Sequence, residues 1–396
     1  MSYCISSEPM RTIAPSRAAF VMVMAGAIAF SGCARSEPAR TESMSSAGTL
    51  TDSGEGSLPR TRATAAETDM QSVLDQLGTM GGKPIESLTP AEARKQPTPA
   101  AAVAMVMAKA GKDTMPVAVV PGVTSIDRTI PGPAGAMPTR IYTPSGPGPF
   151  AVVVYYHGGG WVIADKNVYD GGARSISKEA NAVVVSVDYR LAPEHKFPAQ
   201  HDDALAAYAW VVKNAASIKG DPTRIAIAGE SAGGNLAVAT AIAARDAKMP
   251  SPKAVIAVYP VAQTDTTTAS YVEYANAKPL NRAMMGWFVK HVVRSPADLH
   301  DPRLHLTKAN LAGLPPVTII NAQIDPLFED GAMLEQALTA ANVPVERRVY
   351  DGVTHEFFGM GAVVSKAKDA TQYAGSRLKA AFGKYGRRVR DPRGQE

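Results

Sequence analysis

The chain is 396 residues long, 45% hydrophobic and 19% charged, enough to bury one large core or two modest ones and too apolar to be disordered throughout. Its 41 Lys and Arg against 36 Asp and Glu leave a net charge of +5, with the excess at the ends. Residues 384–396 carry five basic against two acidic side chains, so the body is nearly neutral and lacks the basic stripe of a nucleic-acid binder. Both cysteines, Cys4 and Cys33, lie in the first tenth of the sequence, which excludes a disulfide framework or a cysteine zinc site in the body.

Arg11 and Arg17 precede an uncharged apolar run from Ala18 to Phe30, followed by Ser31, Gly32 and Cys33. This is the pattern of an export signal over residues 1–32. Thirteen residues rise about 20 Å as a helix, short of a bilayer's apolar thickness of about 30 Å. Two readings of its end are open. Phe30-Ser31-Gly32-Cys33 is similar to a bacterial lipobox, giving an envelope lipoprotein anchored through lipid on Cys33; Ala27-Ile28-Ala29 fits ordinary cleavage and a soluble periplasmic or secreted product. Residues 33–66 are polar, with almost no large apolar side chains, and are expected to form a flexible linker.

The folded body is expected over 67–386, with a basic tail at 387–396. Met70, Val73, Leu74 and Leu77 fall at helical spacing, and Thr68 with Gln71 has the form of a capping box. Thr89-Pro90-Ala91-Glu92 repeats the start signal, and Ala100 to Ala110 reads as another helix closed by Gly111. These helices precede every strand and predict a cap over about 67–120. Extended runs within Val123 to Tyr142, around Ile130-Pro131-Gly132-Pro133, predict a hairpin. Continuous apolar runs then recur at 151–156, 182–188, 224–229, 254–259, 317–322 and 345–350. Such runs predict strands buried on both faces, hence an α/β fold with a mostly parallel sheet between helices. In these sheets functional groups collect just past the carboxyl ends of strands.

Four of those ends carry chemistry. Gly229-Glu230-Ser231-Ala232-Gly233-Gly234 stands between a strand and the helical stretch Asn235 to Arg245. This is a nucleophile elbow: glycines two before and two after the serine relieve crowding in a tight turn and leave the Ser231 hydroxyl exposed at a helix N-terminus. His157-Gly158-Gly159-Gly160-Trp161 follows an earlier strand, and its glycines let backbone N–H groups approach a substrate oxygen, the other oxyanion donor being the N–H of Ala232. Asp325 and His355 each follow a later strand. A hydroxyl needs a base near neutral pH, and a histidine serves when a carboxylate fixes its tautomer.

Glu194, His195, His201, Asp202 and Asp203 are rich in metal-ligand types but lack a dedicated spacing, and no metal is assigned to them. Trp161, Met284, Met285, Trp287 and Phe288 are candidates for a substrate pocket or for plain core packing.

The combination of His157 to Gly160, Asp188-Tyr189-Arg190-Leu191-Ala192-Pro193-Glu194, Gly229 to Gly234, Asp325-Pro326-Leu327 and His355 resembles the bacterial branch (family IV) of the hormone-sensitive lipase family of α/β-hydrolase esterases, over roughly residues 68–383. The resemblance implies an eight-stranded sheet, an N-terminal helical cap, no metal or organic cofactor and a preference for short acyl esters. The sequence departs from the family at Glu230, where Asp is commonest, and at Glu356-Phe357-Phe358, where Gly-Phe is usual.

The expected activity is therefore ester hydrolysis through an acyl-enzyme on Ser231, with His355 as base and acid and Asp325 orienting it. An amidase, deformylase or peptidase could use the same triad, and a non-catalytic small-molecule binder could share the scaffold.

Overall fold

The computed structural model describes residues 65–383. The expected export segment, Cys33, most of the expected linker and the basic tail lie outside the described residues.

The N-terminal part is helical: α1 (Thr68–Thr79), a 3-10 turn (Ile85–Ser87), α2 (Pro90–Ala93), α3 (Pro99–Lys109) and α4 (Pro116–Val119). Thr89 and Glu92 form the expected capping box at α2. The expected box at Thr68 does not form. Glu67 is the N-cap of α1 and uses no side-chain cap, because its N–H donates to Gly352 O and its carboxylate is taken by Lys366.

The strands are β1 (Val123–Gly132), β2 (Gly135–Pro144), β3 (Phe150–Tyr156), β4 (Ala182–Val187), β5 (Gly220–Glu230), β6 (Val255–Val258), β7 (Val317–Ile324) and β8 (Val345–Thr354). The hairpin turns at residues 133–134, between Gly132 and Gly135, at the end of the stretch the sequence suggested. Between the strands run α5 (Asp170–Ala180), α6 (Ala199–Asn214), α7 (Ala232–Asp246), α8 (Ala269–Glu273), α9 (Arg282–Val292) and α10 (Phe328–Ala340), and α11 (Ser365–Gly383) follows β8.

All eight strands form one sheet in the order β1-β2-β4-β3-β5-β6-β7-β8. β2 is antiparallel to both its neighbours, and every pairing from β4 to β8 is parallel. Alternate residues of each central strand feed opposite cores. Val152, Val154 and Tyr156 of β3 pack with α6 and α7 residues such as Ala207, Val211 and Leu236. Ala151, Val153 and Tyr155 pack with α5 and α11 residues such as Ile176, Ala374 and Leu378. Burial on both faces is why these strands read as unbroken apolar runs.

β3 leads to β4 on one side, while β5 leads through α7 to β6 on the other, so the sheet changes direction between β3 and β5. Loops leaving these neighbouring carboxyl ends diverge and leave a crevice. His157 follows one of these strands and Ser231 the other.

Candidate active site

Ser231 occupies a sharp turn with φ 56 and ψ −117, a backbone region that side-chain-bearing residues rarely adopt. Its N–H donates to Val258 O at 2.9 Å, which fixes the turn against β6. The flanking glycines are required by packing: a Cβ on Gly229 would lie 2.1 Å from Gly233 O, and one on Gly233 would lie 2.0 Å from Tyr156 O. Helix α7 begins at Ala232, three residues earlier than its sequence pattern suggests, so the Ala232 N–H stands at the first helical position without an intrahelical acceptor.

β7 and β8 each run farther than their apolar stretches, to Ile324 and Thr354, and deliver Asp325 and His355 directly from the strand ends. His355 Nε2 lies 3.0 Å from Ser231 Oγ, and its Nδ1 lies 2.7 Å from Asp325 Oδ2. The other Asp325 oxygen accepts the Leu327 N–H at 2.9 Å. All three side chains are buried. Burial opposes a charge on the His355 ring, but the Asp325 carboxylate, with help from Glu356, outweighs it and holds the imidazole above its ordinary pKa.

Gly159 and Gly160 adopt φ of 92 and 57 and line the cavity beside Ser231. Gly158 lies one step behind them. Its carbonyl accepts from His157 Nδ1 at 2.8 Å, and its Cα faces the Tyr169 hydroxyl so closely that a Cβ would come within 2.3 Å. His157 is a support for this loop: its ring stacks on Tyr189 at 4.2 Å, and the Tyr189 hydroxyl donates to the His157 carbonyl at 2.8 Å. Burial holds His157 below the usual histidine pKa, which suits a neutral stacked ring.

Glu230 is buried beside a second cavity, and the hydroxyls of Tyr155 and Tyr259 each donate to one of its carboxyl oxygens. Burial pushes its pKa up to about 8. The longer Glu, in place of the commoner Asp, spans the two tyrosines. Glu356, the second departure from the family pattern, follows His355 in a left-handed conformation with φ 70; its Oε1 accepts from Tyr169 at 2.6 Å and lies 3.9 Å from His355 Nε2.

A cavity of about 370 Å³ opens over Ser231 and His355. Its floor holds Gly159, Gly160, Ser231, His355 and Glu356, and its walls come from cap residues such as Leu74, Ile85 and Pro97. The cap is docked by Arg94, whose guanidinium donates to Val162 O and Ala192 O at 2.8 Å each and pairs with Glu194 at 2.7 Å. A second wall is the α8–α9 excursion between β6 and β7, whose Met284, Trp287 and Phe288 the sequence left open between substrate pocket and core packing. It contributes Leu280, Met284 and Phe288, and Trp287 Nε1 donates to Leu88 O at 2.9 Å in the cap. Pro279 and the N-cap Asn281 ahead of an amphipathic run were its readable signal. Trp161 and Met285 instead line an adjoining hollow of about 30 Å³ that also reaches Ser231.

The residues considered for metal binding are engaged elsewhere: Glu194 with Arg94, Asp203 with Arg190, and His201 with Asn235 at 3.0 Å. Among the described residues no His, Cys, Asp and Glu cluster is arranged to hold an ion.

Comparison with known proteins gives the same fold. A family model described as alpha/beta hydrolase fold matches residues 153–359. The chain is 41% identical to the carboxylesterase NlhH of Mycobacterium tuberculosis, over 62% of this chain and 79% of that one. It is 40% identical to the esterase LipI of the same organism, over 63% and 80% respectively. Among solved structures it is similar to a thermostable esterase from Pseudomonas putida ECU1011, with a TM-score of 0.73 and 30% identity over 81% of this chain and 98% of that one. The chain belongs to the α/β-hydrolase family.

Proposed function

We propose that this protein is a serine carboxylesterase whose triad is Ser231, His355 and Asp325. The carrying observation is the Asp325–His355–Ser231 hydrogen-bond relay, 2.7 and 3.0 Å long, on the floor of a capped cavity. The esterase relatives support the same reading. His355 takes the proton as Ser231 Oγ attacks the ester carbonyl, and Asp325 holds the ring in the tautomer with its proton on Nδ1. The N–H groups of Gly159, Gly160 and Ala232 receive the developing oxyanion. Collapse expels the alcohol with the proton from Nε2, and water then releases the acid from Ser231.

The hollow beside Ser231 supports a short acyl group, since about 30 Å³ accepts a methyl or ethyl but not a fatty chain. The larger cavity takes the other arm of the ester. The apolar run before Cys33, with the polar linker after it, supports export to the bacterial envelope and anchoring by lipid on that cysteine.

Hydrolysis of p-nitrophenyl acetate, butyrate and palmitate, beside matched anilides, tests the reading. Fast cleavage of acetate or butyrate and weak cleavage of palmitate are expected, with anilides far slower. Preferential anilide cleavage would make the protein an amidase, and inertness toward every substrate would remove the catalytic reading.

A further inference from the structure

Glu356 has a costly position. A non-glycine residue at φ 70 is strained, and its half-buried carboxyl is carried up against the site. Among the described residues no Lys or Arg pairs with it: the Tyr169 hydroxyl holds Oε1 at 2.6 Å, and His355 Nε2 lies at 3.9 Å. Nε2 is the atom that exchanges protons with Ser231, 3.0 Å away. Glu356 also lines two cavities at once, the substrate cavity in front and a second one of about 160 Å³ behind, and Tyr169 stands at the same partition.

The separation of 3.9 Å is too long for a direct hydrogen bond and suits one bridging water. A water about 2.8 Å from both Nε2 and Oε1 would make an angle of about 90° between its two acceptors, within reach of its own two O–H bonds. Its lone pair is then free to face an acyl carbon on Ser231. We propose that Glu356 orients the attacking water of the deacylation half-reaction, with Tyr169 fixing the carboxyl at the partition between the two cavities.

The proposal rests on the acyl-enzyme reading above. The water oxygen bonds to the acyl carbon as one of its protons passes to Nε2. The bond from that carbon to Ser231 Oγ then breaks, and Nε2 returns the proton to Oγ. The second water proton, donated to Glu356 throughout, leaves on the carboxylic acid.

The test separates the two half-reactions with p-nitrophenyl acetate. Rapid-mixing kinetics give acylation as the nitrophenolate burst and deacylation as the steady state, and intact mass follows the acetyl-enzyme. Glu356→Gln, which keeps the volume and an acceptor for Tyr169, is expected to slow deacylation by about ten-fold or more. Its kcat and KM should fall together, leaving kcat/KM within about two-fold, with the acetyl-enzyme accumulating. Tyr169→Phe should shift the same way by less. Glu356→Gly relieves the backbone strain, so it is expected to melt no lower than the parent and still deacylate slowly. Parent-like deacylation in Glu356→Gln or Glu356→Gly, or equal losses in kcat and kcat/KM, overturns the proposal. Absence of any acetyl-enzyme in both parent and variants would instead strike the acyl-enzyme reading itself.

Discussion

Glu230 makes the stability of this protein fall with rising pH, and Glu230→Gln should abolish that part of the slope. In the folded chain the carboxyl is buried between Tyr155 and Tyr259 and its pKa is raised from 4.5 to about 8. Between these values the unfolded chain has lost the proton and the folded chain keeps it, so the unfolded state binds fewer protons and stability declines as pH rises. Below 4.5 the term vanishes, and above about 8 the loss is complete. Each pKa unit is about 1.4 kcal/mol, so the ceiling is about 5 kcal/mol, reduced by any relaxation around the ionised carboxylate. Asp330, raised to about 7 by burial, gives a slope of the same sign, but it is present in both proteins and cancels in the difference. Urea unfolding of parent and Glu230→Gln from pH 5 to 9 measures this difference. The variant should gain on the parent by several kcal/mol across the range, and a difference that stays flat with pH would refute the reasoning.

Other expectations concern the site. Because His355 is held above the ordinary histidine value and acts as a base only when neutral, kcat/KM for a neutral ester should fall with acid through a limb above pH 6.5, as a pH–rate profile would record. A limb at or below the ordinary value would contradict the environment described. Gly160→Ala would place a Cβ 2.3 Å from the Phe288 ring at φ 57, and the displaced loop should cost about 10²-fold or more in kcat against p-nitrophenyl acetate. Arg94→Ala removes the bonds that tie the cap to Val162, Ala192 and Glu194. It should destabilise by about 2 kcal/mol in thermal unfolding and raise KM more than it lowers kcat.

The sheet was legible because each central strand is buried on both faces, as in Val152 to Tyr156, and the elbow because its glycines are demanded by backbone contacts only a few residues away. Asp325 and His355 were legible from their order behind successive strands. The strand ends were harder to place, since β8 continues through polar Asp351 and Gly352, whose N–H is paired by Gln323 rather than by apolar burial. The failed box at Thr68 has the same origin, a long-range bond from Glu67 to Gly352 that local spacing does not encode. Tyr169 and Arg94 act across separations of 187 residues to Glu356 and 98 to Ala192, so nothing in their own neighbourhoods marked them, whereas Tyr189 stands inside the Asp188–Glu194 motif.

The central claim is that Ser231 carries the acyl group. Its most direct test is to titrate the protein with a fluorophosphonate and map the adduct by peptide mass while following ester hydrolysis. One adduct per chain is expected, on the peptide containing Ser231, with activity lost in proportion and no labelling after Ser231→Ala. Labelling at another residue in step with inactivation, or full activity after stoichiometric modification of Ser231, would contradict the account.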